Sequence, residues 1–199
     1  TGVVMVEIGV LGFQGSIEEH EKVFQRLGVK TRRIRYARDL EGVNAIVFPG
    51  GESTTIGIFL QNGDLVQPLR EALIQGMPAL ATCAGTILLA QEIEGKHFTS
   101  LGVLPIRVRR NAYGRQRESF VAPLTLAFDP SRPFPGVFIR APRIETAGPE
   151  VYFLSSFDGQ PVMVQYGAIL GCTFHPELTE DTRVHEYFLG VVSSRKPRV

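Results

Sequence analysis

"PALATCAGTILLA", residues 78–90, joins an apolar run to a helical run through one cysteine, Cys83. Pro78 to Ala81 has the composition of a buried strand, and Thr86 to Ala90 continues as a helix. A cysteine at such a junction has four interpretations: core packing, a disulfide, a metal ligand or a nucleophile. The arrangement resembles a nucleophile elbow, in which a sharp strand-to-helix turn lifts a reactive side chain above a sheet. The segment alone leaves core packing equally open, because most free cysteines are small buried apolar residues.

Strand and helix patterns alternate through the first ninety residues of the chain. Predicted strands are Val6–Leu11, Thr31–Tyr36 (nearer an edge), Asn44–Gly51 and Met77–Cys83. Predicted helices begin at Ser16, with a capping box to Glu19 and a stop at Gly28, and cover Thr54–Leu60 and Leu65–Gln75. This alternation predicts an α/β three-layer sandwich, with a central mostly parallel sheet and helices on both faces.

The pattern changes after Leu101 to short strand-like runs separated by turns. These runs are Val103–Val108, Phe120–Leu126, Val137–Ile139, Val151–Leu154, Val162–Gln165 and Ile169–Phe174. We expect them to be antiparallel additions to the same sheet, followed by a helix from about Glu180 to Gly190. One domain is therefore predicted over residues 5–192, with residues 1–4 outside it and residues 193–199 as a tail.

Composition restricts the classes of function. The 199 residues are 44% hydrophobic and 21% charged with a formal net charge of +1, which favours neither a nucleic-acid nor a membrane partner. Two cysteines form no disulfide framework, so a reducing cytoplasm is expected. The cysteines and histidines lack the short spacing of metal ligands, and no metal is predicted.

Three glycine-containing loops follow predicted strands: "GFQG" at 12–15, "PGGEST" at 49–54 and "TCAG" at 82–85. In a parallel α/β sheet such loops meet at the carboxyl edge, where ligands bind. The glycines of "GVLGFQG" do not have the G-x-G-x-x-G spacing of a dinucleotide site, and "PGGEST" lacks the ending of a phosphate loop. Nucleotide binding is therefore disfavoured.

"GCTFHPEL", residues 171–178, separates the interpretations of Cys83. His175 follows an apolar strand, and Glu177 comes two residues later. If the chain stays extended through Pro176, both side chains lean to one side, and the carboxylate can orient the imidazole. A thiol with a distant histidine paired to an acid is the arrangement for covalent acyl transfer. A triad of Cys83, His175 and Glu177 is therefore predicted, with the amide of Ala84 facing the same spot.

The remaining candidates are weaker. His20 and His185 lie in charged helical stretches and are predicted to be surface residues, His97 lies in a loop, and Cys172 is expected in the core. An arginine-rich segment has two open interpretations, a carboxylate anchor or a solvated rim: Arg107, Arg109, Arg110, Arg115 and Arg117.

The sequence as a whole resembles the triad-type (class I) glutamine amidotransferases, and more narrowly the glutaminase subunits of pyridoxal 5′-phosphate synthase. The motifs that carry this resemblance run through nearly the whole chain: "GVLGFQG", "PGGEST", "TCAG", "RNAYGRQ", "FIRAP" and "GCTFHPELTED". The triad alone is typical of the superfamily, whereas "PGGEST" with "RNAYGRQ" and "FIRAP" is far more specific.

The resemblance implies that Cys83 attacks the carboxamide of L-glutamine and that His175, oriented by Glu177, protonates the departing ammonia. It assigns an oxyanion hole to the amides of Gly51 and Ala84. It also implies a glutamine pocket and a rim residue on the partner's side: Gly51, Glu52, Ser53, Arg110, Ile139 and Arg140, with Gln14 at the rim. The ammonia would pass to a synthase subunit in a large hetero-oligomer, and no cofactor or metal is needed for the glutaminase reaction.

One position departs from the family pattern. The elbow usually reads Gly-x-Cys-x-Gly, and Ala81 stands at the first position, where an extra methyl group could crowd the turn. Two alternatives are kept: another elbow-cysteine hydrolase, and a non-catalytic glutamine-binding regulatory module.

Overall fold

The computed structural model describes residues 5–95, 100–115 and 118–195. Within these ranges the chain forms twelve strands and five α-helices. The strands are β1 Glu7–Leu11, β2 Lys30–Ile34, β3 Ala45–Phe48, β4 Ala79–Thr82, β5 Ala90–Ile93, β6 Leu104–Arg109, β7 Ser119–Leu126, β8 Asp129–Ile139, β9 Arg143–Ala147, β10 Tyr152–Phe157, β11 Gln160–Tyr166 and β12 Ile169–Cys172. The helices are α1 Ile17–Arg26, α2 Ser53–Asn62, α3 Val66–Ile74, α4 Ala84–Leu89 and α5 Arg183–Ser194.

A seven-stranded sheet in the order β10-β11-β12-β4-β3-β1-β2 forms the centre of the molecule. Strands β12, β4, β3, β1 and β2 pair in parallel, and β10 and β11 add to one side in antiparallel fashion. The predicted mostly parallel α/β sheet is confirmed, and β2 lies at its edge as expected.

Alternation along the buried strands divides the core into two layers. In β3, Ile46 and Phe48 face a cluster that includes helices α2, α3 and α4, whereas Ala45 and Val47 face a cluster that includes α1 and α5. Successive side chains of a strand point to opposite faces of a sheet, so a strand that is apolar throughout needs cover on both faces. This is why β3, which is apolar throughout, lies inside the sheet and is covered by helices on both faces.

The expectation that the six later strand-like runs all join this sheet is wrong for three of them, which become β6, β7 and β8. Strands β5, β6 and β9 form a separate three-stranded sheet, and β7 and β8 form a hairpin. The three-stranded sheet packs into the α2–α4 layer through Leu104, Val108 and Ile144, and the hairpin packs into the α1–α5 layer through Phe134 and Phe138. Short apolar runs predict strands but do not identify their pairing partners, which long-range contacts decide.

Several element boundaries also differ from the predictions. Ala90 begins β5 instead of ending a helix, and β9 was not predicted. The last helix runs from Arg183 to Ser194. It begins later than predicted because a turn precedes it, in which the Asp181 carboxylate accepts from the amide of Arg183 at 3.1 Å. Two residues of the predicted 193–199 tail are therefore helical. In the described ranges, no helix has the length and apolar character that a membrane crossing requires.

Candidate active site

Loops from four adjacent parallel strands meet at the carboxyl edge of the main sheet. They follow β1, β3, β4 and β12, and they surround a cavity of about 580 Å³. The first two loops pack directly on each other, since the amide of Ser16 donates to the carbonyl of Gly50 at 3.0 Å. Gly15 has a φ of +103°, and a Cβ there would lie 1.8 Å from the Gly50 oxygen. Only glycine permits this approach, which explains the second glycine of "GFQG".

Cys83 lies between β4 and α4 with a φ of 48° and a ψ of −107°. A non-glycine residue with this backbone conformation stores about 1–3 kcal/mol of strain, which neighbouring structure must hold in place. The side chain is 6% exposed at the cavity wall, and its sulfur lies 3.7 Å from the carbonyl oxygen of Ile139. The amides of Thr86 and Ile87 donate to the carbonyl of Cys83 at 3.1 and 3.3 Å, whereas Ala84 and Gly85 occupy the first two helical positions, whose amides have no earlier carbonyl within the helix. The geometry is that of a nucleophile elbow at the start of a helix.

Ala81, the position that departs from the family pattern, is part of the core sheet. It is fully buried in β4, and it pairs in register with Phe48 of β3 on one side and Gly171 of β12 on the other. Its methyl group packs into the α2–α4 layer of the core.

His175 and Glu177 form a buried pair at the end of β12. The imidazole Nδ1 lies 2.6 Å from the Glu177 Oε1. The chain is not extended through Pro176 as expected, because Pro176–Leu178 forms a 3₁₀ turn. The amide of His175 donates to the carbonyl of Val137 in β8 at 2.8 Å, and this bond ties the loop to the hairpin.

The electrostatics of this pair favour charge on both members. Burial opposes the charged imidazole, but interactions with Cys83 and Glu177 outweigh burial and raise the pKa of His175 to about 10. Burial also opposes the carboxylate, but His20 and His175 lower the pKa of Glu177 to about 2. At neutral pH the pair is an imidazolium and a carboxylate beside Cys83, and a neighbouring imidazolium is the partner that activates a cysteine nucleophile.

Ser16 completes the surroundings of the carboxylate, a role that sequence reasoning missed. Its hydroxyl donates to Glu177 Oε1 at 2.8 Å and makes no side-chain cap on α1. The predicted capping box between Ser16 and Glu19 is therefore wrong. The hydroxyl stabilises a group 161 residues away instead, and no local pattern signals this pairing.

The residues expected to bind substrate lie around the same cavity. The lining includes Gln14, Gly51, Glu52, Ser53, Cys83, Ala84, Arg110, Ile139, Arg140 and His175. The carboxylate of Glu52 is occupied in part, because it caps α2 by accepting from the amide of Thr55 at 2.8 Å. The guanidinium of Arg110 donates to the hydroxyl of Thr54 at 3.0 Å, which aims it at the cavity wall. Both signs of charge line the cavity, and a zwitterionic ligand can be matched there.

The other arginines of this region have different roles. Arg107 and Arg109 pair with Glu145 of β9, with N···O distances of 3.6 and 3.5 Å. Arg115 lines a smaller neighbouring cavity, and Arg117 lies outside the described residues.

Comparison with known proteins identifies the family. The sequence model of the SNO glutamine amidotransferase family matches residues 10–194. The chain belongs to this family. A relative from Thermotoga sp. strain RQ2, named pyridoxal 5′-phosphate synthase subunit PdxT, is 48% identical over 94% of this chain and 100% of its own length. Relatives of the same name from Dictyoglomus turgidum and Thermococcus onnurineus are 49% and 46% identical, over 92% and 93% of this chain and 97% and 98% of theirs.

Solved structures agree with this membership. A crystal structure of a glutamine amidotransferase superposes with a TM-score of 0.89 at 42% identity, covering 94% of this chain and 98% of that one. A glutamine amidotransferase from Thermotoga maritima reaches a TM-score of 0.65 at 16% identity, over 96% of this chain and 85% of its own, which shows a common fold alone.

Two histidines of this SNO family member are not where the sequence predicted them. His20 and His185 are fully buried, not on the surface. Each occupies an inward position of its helix: His20 lies three residues after Ile17, and His185 lies three residues before Phe188. This apolar spacing is the signal that could have identified them.

The minor predictions have mixed outcomes. Cys172 is buried in the core as expected, and burial raises the pKa of its thiol. His97 lies outside the described residues. Across the described ranges, no group of three or more metal-ligating side chains is present.

Proposed function

We propose that the protein is a glutaminase that hydrolyses L-glutamine to L-glutamate and ammonia. The observation that carries this proposal is the strained Cys83 beside the buried His175–Glu177 pair, at the wall of a cavity with both signs of charge. Membership of the SNO glutamine amidotransferase family supports the same reaction.

The proposed reaction has two stages. The Cys83 sulfur attacks the carboxamide carbon, and the resulting oxyanion is held by the amides of Gly51 and Ala84. The carbon–nitrogen bond then breaks as the imidazolium of His175 gives its proton to the leaving nitrogen. In the second stage, His175 takes a proton from water, whose oxygen attacks the thioester carbon. The carbon–sulfur bond then breaks, which releases glutamate and one proton to solvent and leaves the Cys83 thiolate beside the restored imidazolium. Glu177 holds the imidazole in the tautomer that both stages need.

Substrate recognition is proposed for two walls of the cavity. Gly51, Glu52 and Ser53 form one wall at the start of α2. Arg110, with Ile139 and Arg140 at the end of β8, forms the other, and an arginine is suited to the α-carboxylate of glutamine because guanidinium binds carboxylates in a bidentate manner.

We also propose that the ammonia is supplied to the synthase subunit of a pyridoxal 5′-phosphate synthase, within a large hetero-oligomer. The name of the relatives supports this partner. Gln14 is proposed to lie on the partner's side of the site, since its side-chain oxygen accepts from the amide of Glu52 at the cavity rim at 2.8 Å. Residues 5–192 are proposed to act as one domain in the cytoplasm, and both cysteines are free thiols, as a reducing compartment favours.

The test is glutamate release from glutamine by the full chain, with and without the synthase subunit. Cys83→Ala should abolish release in both conditions. Cys172→Ala is the matched control, because Cys172 is fully buried in the core and should retain most of the parent rate. The parent rate should rise when the subunit is added, since a glutaminase that ran alone would waste ammonia.

The outcomes separate the alternatives. Parent-like hydrolysis by Cys83→Ala would refute the nucleophile. Glutamine binding without any release by the parent protein would favour a regulatory module. Thioester formation on Cys83 from other acyl compounds, but not from glutamine, would favour a different hydrolase.

A further inference from the structure

Two buried histidines lie behind the carboxylate of the proposed triad. His20 of α1 and His185 of α5 are both 0% exposed, and His20 Nδ1 lies 2.9 Å from His185 Nε2. The other nitrogen of His20, Nε2, lies 3.2 Å from Thr82 Oγ1 and 3.6 Å from Glu177 Oε2. A continuous line of side chains thus runs from α5 through α1 to Glu177, and from there to His175.

The partners of these nitrogens assign the protons. His185 Nδ1 is buried and has no hydrogen-bond partner among the described residues. A protonated nitrogen there would be an orphaned buried donor, which folded proteins avoid more strongly than an unused acceptor. His185 therefore carries its proton on Nε2 and donates to His20 Nδ1. His20 in turn must carry its own proton on Nε2, which faces Thr82 and Glu177.

Both histidines are neutral at physiological pH. Burial lowers the pKa of His20, and burial lowers the pKa of His185 to about 3. The titratable and charged groups that act on this pair and on Glu177 come from every element packed against them: Glu19 and Arg26 on α1, Cys172 at the end of β12, and His175. A neutral donor stabilises the carboxylate without competing with the imidazolium of His175 for its charge.

The two oxygens of Glu177 differ in their partners. Oε1 accepts from Ser16 at 2.8 Å and pairs with His175 Nδ1 at 2.6 Å. Oε2 is buried and makes no hydrogen bond of ordinary length with the described residues, and it faces His20 Nε2. The N–H of His20 donates to Thr82 Oγ1 at 3.2 Å and lies 3.6 Å from Glu177 Oε2, so the positive end of its dipole acts on the carboxylate oxygen that lacks a hydrogen bond.

We propose that His20, oriented by His185, is a positioning residue that keeps Glu177 ionised and directed at His175. The inference rests on the proposed glutaminase function, because the carboxylate that the two histidines support is Glu177 of the proposed triad. Neither histidine lines the cavity, and neither touches the reacting atoms.

The experiment compares His20→Leu with His20→Gln in the full chain, in complex with the synthase subunit. Leucine fills the site but removes the donor, whereas glutamine places an amide N–H at a similar reach. We expect His20→Leu to lower kcat for glutamine hydrolysis about tenfold with little change in KM, and His20→Gln to restore most of it. Weaker support from Glu177 should also lower the pKa of His175, so the alkaline limb of the pH–rate profile moves toward neutral pH in His20→Leu and not in His20→Gln.

Alkylation of Cys83 by iodoacetamide, followed by mass spectrometry across the same pH range, gives a readout that does not require glutamine. It reports the Cys83–His175 pair directly, and its pH profile should shift in the same direction. If the parent protein releases no glutamate but the alkylation profile still shifts in His20→Leu, the glutaminase proposal fails and the positioning role stands.

Two results would overturn the positioning role. One is a His20→Leu variant with the parent kcat and unchanged pH profiles. The other is an equal loss in His20→Leu and His20→Gln with no movement of either profile, which would mean that His20 only packs. If His20→Leu does not fold, His185→Phe decides: it keeps a ring beside Phe24 and removes the donor to His20, so it must move both profiles in the same direction.

Discussion

Replacing Gly50 with alanine is expected to displace His175 while leaving the fold in place. A Cβ on Gly50 would lie 2.4 Å from the His175 Cε1, 2.9 Å from its Nδ1 and 3.4 Å from the Cβ of Cys83. The backbone of Gly50 is outside the left-handed region, so alanine introduces a steric conflict and no conformational strain. The imidazole cannot absorb the contact by swinging freely, because Glu177 holds its Nδ1 at 2.6 Å.

The distance by which the His175 ring must move determines the expected loss of kcat. Ordinary carbon contacts begin near 3.4 Å, so the ring must move by about 1 Å, and a displacement of this size costs about 100-fold in rate. Overpacking of this kind destabilises a core by about 1–3 kcal/mol, which most folded domains tolerate. We therefore expect kcat for glutamine hydrolysis to fall about 100-fold, with a modest decrease in the unfolding temperature.

The assay is glutamate release in the presence of the synthase subunit, with thermal unfolding measured on the same samples. Gly190→Ala is the matched control, since a Cβ at this position in α5 meets nothing within 4 Å. It should keep full activity and gain about 0.5–1 kcal/mol of stability. A folded Gly50→Ala variant with the parent rate would show that His175 is not held against Cys83 in the working enzyme.

Three further changes have expected outcomes. Cys83→Gly should be about 1 kcal/mol more stable to urea than Cys83→Ala, because glycine relieves the strain at a φ of 48°; equal stabilities would contradict the strain. Arg110→Met should raise KM for glutamine about tenfold with a smaller effect on kcat, and steady-state kinetics at saturating synthase subunit would show this; an unchanged KM would remove Arg110 from the pocket. The free energy of unfolding should be greatest near pH 6.5. Below this pH, the stabilising contribution of neutral His185 is lost as the pH falls toward the folded pKa of His185, about 3. Above it, the contribution of charged His175 is lost as the pH rises toward the folded pKa of His175, about 10. Urea titrations across pH 4–9 measure this dependence, and His185→Phe should flatten its acid side.

The sheet and the positions of the reactive loops were predictable because both depend on local patterns. Continuous apolar runs predict buried parallel strands, and the loops that follow such strands must share one edge of the sheet. Cys83 and His175 were found in this way, since each directly follows an apolar strand.

The buried polar network was not predictable in the same way. Glu18, Glu19 and Glu21 surround His20 in sequence, and their charge suggested an exposed stretch although His20 itself lies on the apolar face of the helix. The hydroxyl of Ser16 had a plausible local use as a helix cap, and a contact with a residue far along the chain displaced that use. Such pairings depend on the packing of whole elements, which a local pattern does not encode.

The hairpin that the sequence misplaced also holds the site together. The carbonyl of Val137 in β8 accepts from the amide of His175 at 2.8 Å, and the carbonyl of Ile139, two residues later, lies 3.7 Å from the sulfur of Cys83. Alternate carbonyls of one strand therefore contact both the imidazole loop and the thiol. Arg140 follows directly and lines the cavity. Any sliding of β8 would therefore move three groups together: the Ile139 carbonyl beside Cys83, the loop that carries His175, and the proposed substrate-binding residue Arg140. The parallel sheet supplies the reactive groups, and the register of this hairpin fixes the distance between them.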